Sequence, residues 1–130
     1  MLDTDILSMI MRQNQVVVLE AGRYIDQYSR FNFSLITKYE ILRGLRAKGA
    51  LKQVKAFDLF CSRNSILPVN DTVVGKAAGI YADPSKKGNL ICDADILIAA
   101  TALVNKLSLV TNNQAHFKRI NELHVVNWLK

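Results

Sequence analysis

The chain has 130 residues, half of them hydrophobic, which is enough for one compact core without help from disulfides or structural zinc. Seventeen Lys and Arg against eleven Asp and Glu leave a net charge of +6, so a polyanionic partner is favoured by steering and counterion release. The longest apolar run, Ala94 to Val104, is broken by Asp95 and Thr101 and falls far short of the roughly 20 residues that span a bilayer. No basic segment followed by an apolar run opens the chain, so a cytoplasmic protein with no membrane anchor is expected.

In chain order, Leu7, Ile10 and Met11 share one helical face, and Val17, Val18, Ala21, Tyr24, Ile25 and Tyr28 continue at helical spacing. Two helices are therefore predicted in the first thirty residues, with Asp5 as the N-cap of the first. Phe31, Phe33 and Leu35 then alternate with Asn32 and Ser34 as a strand does, before Thr37 caps a helix carrying Tyr39, Ile41, Leu42 and Leu45. Gly49 marks a break. A helix over Leu51 to Phe60 and a short strand at Ser65 to Val69 follow, and Asn70 or Asp71 caps a helix running from about Thr72 to Tyr81.

Asp83 to Asn89, DPSKKGN, has loop composition throughout. Beyond it, Ala94 to Asn105 is apolar on nearly every side and suits a helix buried between other elements. Leu107 to Thr111 and His124 to Trp128 read as strands flanking helical turns at Gln114 to Ile120. Strands alternating with helices imply an α/β fold: a three-layer α/β/α sandwich on a mostly parallel sheet, forming a single domain over residues 1–130. Cys61 and Cys92 lack ligand spacing and are expected to be reduced thiols with no role.

In such a sheet the site lies beyond the carboxyl ends of the strands. The residues there are acidic or polar: Asp3-Thr4-Asp5 after the first strand, Glu40 one turn into a helix, Asp95 in the first turn of the buried helix, and Thr111-Asn112-Asn113 after a later strand. Gathered carboxylates repel one another unless a cation shares the site. Oxygen donors without His or Cys favour Mg²⁺ or Mn²⁺ over zinc or copper, and such an ion serves in-line hydrolysis of a phosphodiester. Simpler roles compete. Asp93 and Asp95 both suit the positive end of a helix, and Glu40 has Arg43 as a neighbour to pair with. An acid entering so apolar a helix as Asp95 does is costly without a partner.

Leu2-Asp3-Thr4-Asp5-Ile6-Leu7 resembles the L-D-T-N-I-L opening of the PIN-domain ribonucleases, and Thr37 to Gly44, TKYEILRG, is similar to their T-x-x-E-L-x-x-G segment. Asp95 to Ala102, DILIAATA, resembles D-x-x-I-A-A-x-A, and Leu109-Val110-Thr111-Asn112-Asn113 with Phe117, then Val126-Asn127-Trp128, complete the likeness. Four segments in the right order across almost the whole chain make the resemblance specific to the small VapC-type toxins within that family. It implies metal-dependent RNA cleavage with Asp3, Glu40 and Asp95 as the principal acids, and Thr111, Asn112 and Asn113 as secondary polar groups. An antitoxin protein and a second copy of the chain are the implied partners. Asp5 stands where the family has Asn, Asn113 fills the position of a fourth acid, and the chain begins very close to Asp3, so the first strand is very short or the true start lies upstream.

Arg43, Arg46, Lys48, Lys52, Lys55, Lys86, Lys87, Lys118 and Arg119 are candidates to follow an RNA backbone. Arg43 and Arg46 have the best claim because they follow Glu40 on its helix. His116 and His124 are expected to be surface or packing residues. A phosphoacceptor receiver domain would leave Glu40 and Asp95 without a purpose, whereas an inactive PIN-like binding module is the stronger alternative to the enzyme.

Overall fold

The computed structural model describes residues 1–83 and 91–129. Lys86, Lys87 and all but the first residue of the predicted DPSKKGN loop lie outside the described residues. The elements are α1 (Thr4–Met11), α2 (Gln15–Tyr28), β1 (Asn32–Ser34), α3 (Leu35–Ala47), α4 (Leu51–Ser62), β2 (Ser65–Leu67), α5 (Asp71–Ala82), α6 (Asp93–Val104), β3 (Leu109–Val110), α7 (Gln114–Phe117) and β4 (Val125–Val126). Every helix and strand expected from periodicity is present, but the strands are shorter than the alternation suggested.

The sheet is parallel throughout. β1 pairs with β2 and β3 with β4, and Leu2 bridges the two pairs by pairing with both Phe33 and Val110. Leu2 N–H donates to the Asn32 carbonyl at 2.9 Å, Val110 N–H to the Met1 carbonyl at 2.8 Å, and Asp3 N–H to the Val110 carbonyl at 3.0 Å. The spatial order is therefore β2, β1, Leu2, β3, β4. After Leu2 the chain builds outward to one side, then returns to build on the other. The crevice between Leu2 and β3 is the switch point where open α/β sheets bind ligands.

Side-chain alternation separates two cores, one on each face of the sheet. Leu2, Phe33, Ile66, Val110 and Val126 face a cluster built with α1, α2, α3 and α4. Met1, Leu67, Leu109 and Val125 face the other, built with α5, α6 and α7. Three layers result, as the sequence predicted. Phe31, Phe33, Phe57 and Phe60 form an aromatic stack on the first face, with centroids 5.9 to 6.5 Å apart. On the second face Ala99, Ala100 and Ala102 are fully buried, so α6 lies close against its neighbours.

Two predicted caps are corrected. α1 is capped by Asp3, which accepts the Ile6 N–H at 2.9 Å, and Asp5 is an exposed residue of the first turn. The extended segment ends at Leu2, so the helix starts two residues earlier than a cap at Asp5 would set it. α3 is likewise capped by Ser34, whose Oγ accepts the Ile36 N–H at 3.0 Å, while Thr37 is buried inside the helix. No described helix is long and apolar enough to cross a membrane.

Candidate active site

Asp3, Thr4, Asp5, Glu40, Asp95, Asn113 and Phe117 line one cleft of about 250 Å³. Asp3 arrives as the N-cap of α1, directly after the Leu2 bridge, and Asp95 stands in the first turn of α6. The N-terminal ends of both helices thus meet at the cleft and partly compensate the negative charge collected there. Glu40 comes in from the second turn of α3. The three acids that the sequence singled out are drawn from segments far apart in the chain and share one cavity.

Asp3 is only 5% exposed. Burial raises its pKa from 3.8 to about 6, the hydrogen bonds from Thr111 and the Ile6 N–H oppose the rise, and the charges of Asp5 and Asp95 add to it. Thr111 is fully buried and serves two neighbours: its hydroxyl bonds the Asp3 carboxylate and accepts the Asn113 N–H at 2.9 Å. Glu40 is held from both sides. Thr4 Oγ1 donates to Glu40 Oε1 at 2.7 Å and lies 3.0 Å from the Thr37 hydroxyl, while Arg43 Nη2 stands 3.5 Å from Glu40 Oε2. The pairing with Arg43 and the place in the cleft coexist.

Sequence reasoning missed three participants. Thr4 sat inside a recognised motif without an assigned contact, and Thr37 was assigned only as a helix cap. His116 was expected only to pack or face solvent, yet its Nδ1 is 3.3 Å from Asp95 Oδ2 and 2.9 Å from Asn113 Nδ2. The signal available was its position three residues after Asn113, which a single helical turn brings to the same side. Asn112 does not line the cleft; it is exposed and accepts a 3.4 Å hydrogen bond from Asn127 Nδ2. Arg43 and Arg46 line a separate groove on α3 with Leu35, Lys38, Tyr39 and Leu42. Arg43 also lies over the Tyr39 ring, 5.3 Å from its centroid.

The donor set of the cleft is oxygen-rich, and a buried acid with a raised pKa gains from a cation beside it. Among the described residues no three acidic, His or Cys side chains stand close enough to cage an ion directly. That arrangement fits a hard, hydrated ion of the Mg²⁺ type, which takes one or two carboxylates and keeps its waters, and does not fit zinc.

An acidic cleft at the switch point of a small parallel sheet, covered by helices on both faces, defines the class: the chain belongs to the PIN-domain family, whose model matches residues 1–123. It is 31% identical to ribonuclease VapC2 of Haemophilus influenzae over 130 residues, covering 99% of this chain and 97% of that one. It is also 31% identical to ribonuclease VapC1 of Methanocaldococcus jannaschii over 100 residues, 77% of this chain and 71% of the other. Among solved structures it superposes on VapBC2 from Rickettsia felis bound to a promoter DNA fragment, with a TM-score of 0.85 at 26% identity, covering 98% of this chain and 96% of that one. VapBC-1 from nontypeable Haemophilus influenzae gives a TM-score of 0.83 at 27% identity, with 99% and 97% covered.

Proposed function

We propose that this chain, read as one PIN domain, is an endoribonuclease acting as the toxin of a toxin–antitoxin pair. It hydrolyses RNA phosphodiesters in the cytoplasm with Mg²⁺ or Mn²⁺ bound in the cleft of Asp3, Glu40 and Asp95, through one or two of these carboxylates directly and the rest through the ion's waters. The observation that carries this function is the convergence of those acids on one cleft of a chain whose relatives are named ribonucleases.

A bound divalent ion supplies positive charge for the phosphoryl oxygens and lowers the pKa of a coordinated water. The protein's part is positional. One Asp3 oxygen is committed to the Ile6 N–H, so the carboxylate is fixed before any ligand arrives. Thr4 and Arg43 fix Glu40, and His116 stands 3.3 Å from Asp95, leaving a ready set of acceptors for a proton or an ion. Thr111 supports Asp3, Asn113 supplies a neutral polar wall, and Asp5 adds negative charge at the rim.

The antitoxin is proposed to cover the α3 groove, whose apolar Leu35, Tyr39 and Leu42 are rimmed by Lys38, Arg43 and Arg46 and suit an amphipathic acidic segment. Arg43 and Arg46 would contact RNA once that segment leaves. Exposed Val74 and Tyr81, two turns apart on α5, are apolar surface that a homodimer would cover.

The test is cleavage of a mixed small-RNA pool by purified protein with Mg²⁺ or Mn²⁺. Activity lost both with EDTA and in Asp95→Asn is expected. No cleavage by folded, antitoxin-free protein would favour the second reading, an inactive binding module, for which the observation is that a neutral Asn113 lines the cleft where a fourth acid would stand.

A further inference from the structure

A second cavity of about 190 Å³ runs along the seam between α1 and α3 and shares Thr4 and Glu40 with the acidic cleft. The two residues that line both cavities are joined to each other by the 2.7 Å Thr4–Glu40 hydrogen bond. From there the seam is lined by Ser8, Met11, Ile41, Gly44 and Leu45 and ends at Arg12 and Lys48. Arg12 follows Thr4 by eight residues and Lys48 follows Glu40 by eight, so the cationic end lies about 12 Å along the helices from the cleft.

Both residues are exposed C-caps, Arg12 of α1 and Lys48 of α3, and among the described residues neither forms an ion pair. Interaction with the negative ends of their own helices would account for either cation alone. It does not account for two of them closing the far end of a channel whose near end is the acidic cleft. Gly44 leaves the channel wide, since a Cβ there would meet nothing within 4 Å.

We propose that this seam is the track along which single-stranded RNA continues past the cleaved bond, with Arg12 and Lys48 binding backbone phosphates; this rests on the ribonuclease function proposed above. The charge pattern supports RNA as the occupant. A polyanion is repelled at the acidic rim unless a cation is bound there and is attracted at the basic end, which sets the direction of the strand. The apolar lining of Met11, Ile41 and Leu45 suits unstacked bases, which a duplex would not present.

The experiment measures binding of a short fluorescein-labelled single-stranded RNA of mixed sequence to the inactive Asp95→Asn protein, so affinity is read without cleavage. Adding Arg12→Ala and Lys48→Ala should weaken binding about tenfold at low salt and flatten the slope of log K against log salt by about 1.4, or about 0.7 for each lost phosphate contact. Arg12→Lys with Lys48→Arg should restore most of both. Removing two other exposed charges, Arg30→Ala and Arg63→Ala, should move the slope much less. Gly44→Leu, whose Cβ would meet no atom within 4 Å, should fold normally and weaken binding by narrowing the seam.

Unchanged affinity and slope in the Arg12 and Lys48 variant would overturn the track, as would an effect confined to binding of a protein partner. Wild-type protein that cleaves RNA while these variants bind it normally refutes the track alone. Protein that neither binds nor cleaves RNA refutes the ribonuclease function with it.

Discussion

His116 Nδ1 stands 3.3 Å from Asp95 Oδ2 and 2.9 Å from Asn113 Nδ2, so the short α7 brings an imidazole against an acid of the cleft on α6. Groups that orient ligating carboxylates typically account for about 10- to 100-fold in metal affinity or activity. His116→Ala should therefore weaken Mn²⁺ binding about tenfold, measured by titration of the ion with the enzyme at rest. His116→Asn, which keeps a donor near Asp95, should recover part of the loss; equal affinity in all three proteins would mean that Asp95 needs no support.

Asp3 links fold stability to pH. Its folded pKa of about 6 lies above its ordinary 3.8, so the folded state holds this proton more tightly than the unfolded one. The contribution to stability is most favourable below pH 4, declines as pH rises through the interval, and is fully lost above about 6. Asp3→Asn keeps a capping oxygen for the Ile6 N–H and removes the buried charge. Without divalent ions, the variant should be more stable than wild type by about 2 to 3 kcal/mol at pH 7.5, with little difference near pH 4. Urea denaturation at the two pH values checks this. Added Mg²⁺ should raise the melting temperature of wild type but not of the variant.

Thr4 holds Glu40 through a 2.7 Å hydrogen bond. Thr4→Val preserves shape and removes the hydroxyl, leaving Arg43 as the fixed partner of Glu40. A fall of about tenfold in kcat with near-normal stability is expected, and Thr4→Ser should restore the rate. If Val and Ser behave alike in a cleavage assay, the hydroxyl is not what positions Glu40.

Phe57 is fully buried in the aromatic stack beneath β1, away from the cleft. Phe57→Ala should cost about 3 to 5 kcal/mol in chemical denaturation. Metal affinity of the fraction that remains folded should be unchanged, because none of the four stacked rings lines the cleft.

The layers and the three acids were legible because they rest on local signals. Helical spacing marks α2 and α3, and an acid at the head of the apolar α6 is conspicuous in a string of letters. The strand before Asp3 was expected, and expected to be very short, from its place ahead of the acidic pair and not from any period. A single residue paired on both sides shows no period, yet it joins the two halves of the sheet and fixes where Asp3 falls. The misassigned caps have the same origin, since Asp5 and Thr37 are good capping residues by type and only the tertiary end of the strand selects Asp3 and Ser34 instead. The contact of His116 with Asp95 was missed because it joins α7 to α6, which spacing within either segment cannot reveal.

The alternating faces of the strands also bear on how such a chain can change over generations. Leu109 and Val110 are adjacent yet belong to opposite cores, and Thr111 follows them to Asp3. One residue inserted ahead of this strand and absorbed within it would exchange the two cores' side chains and turn the Thr111 hydroxyl away from the acid. Length variation among descendants should therefore collect in the connections between helices, while drift inside the strands proceeds by substitution alone.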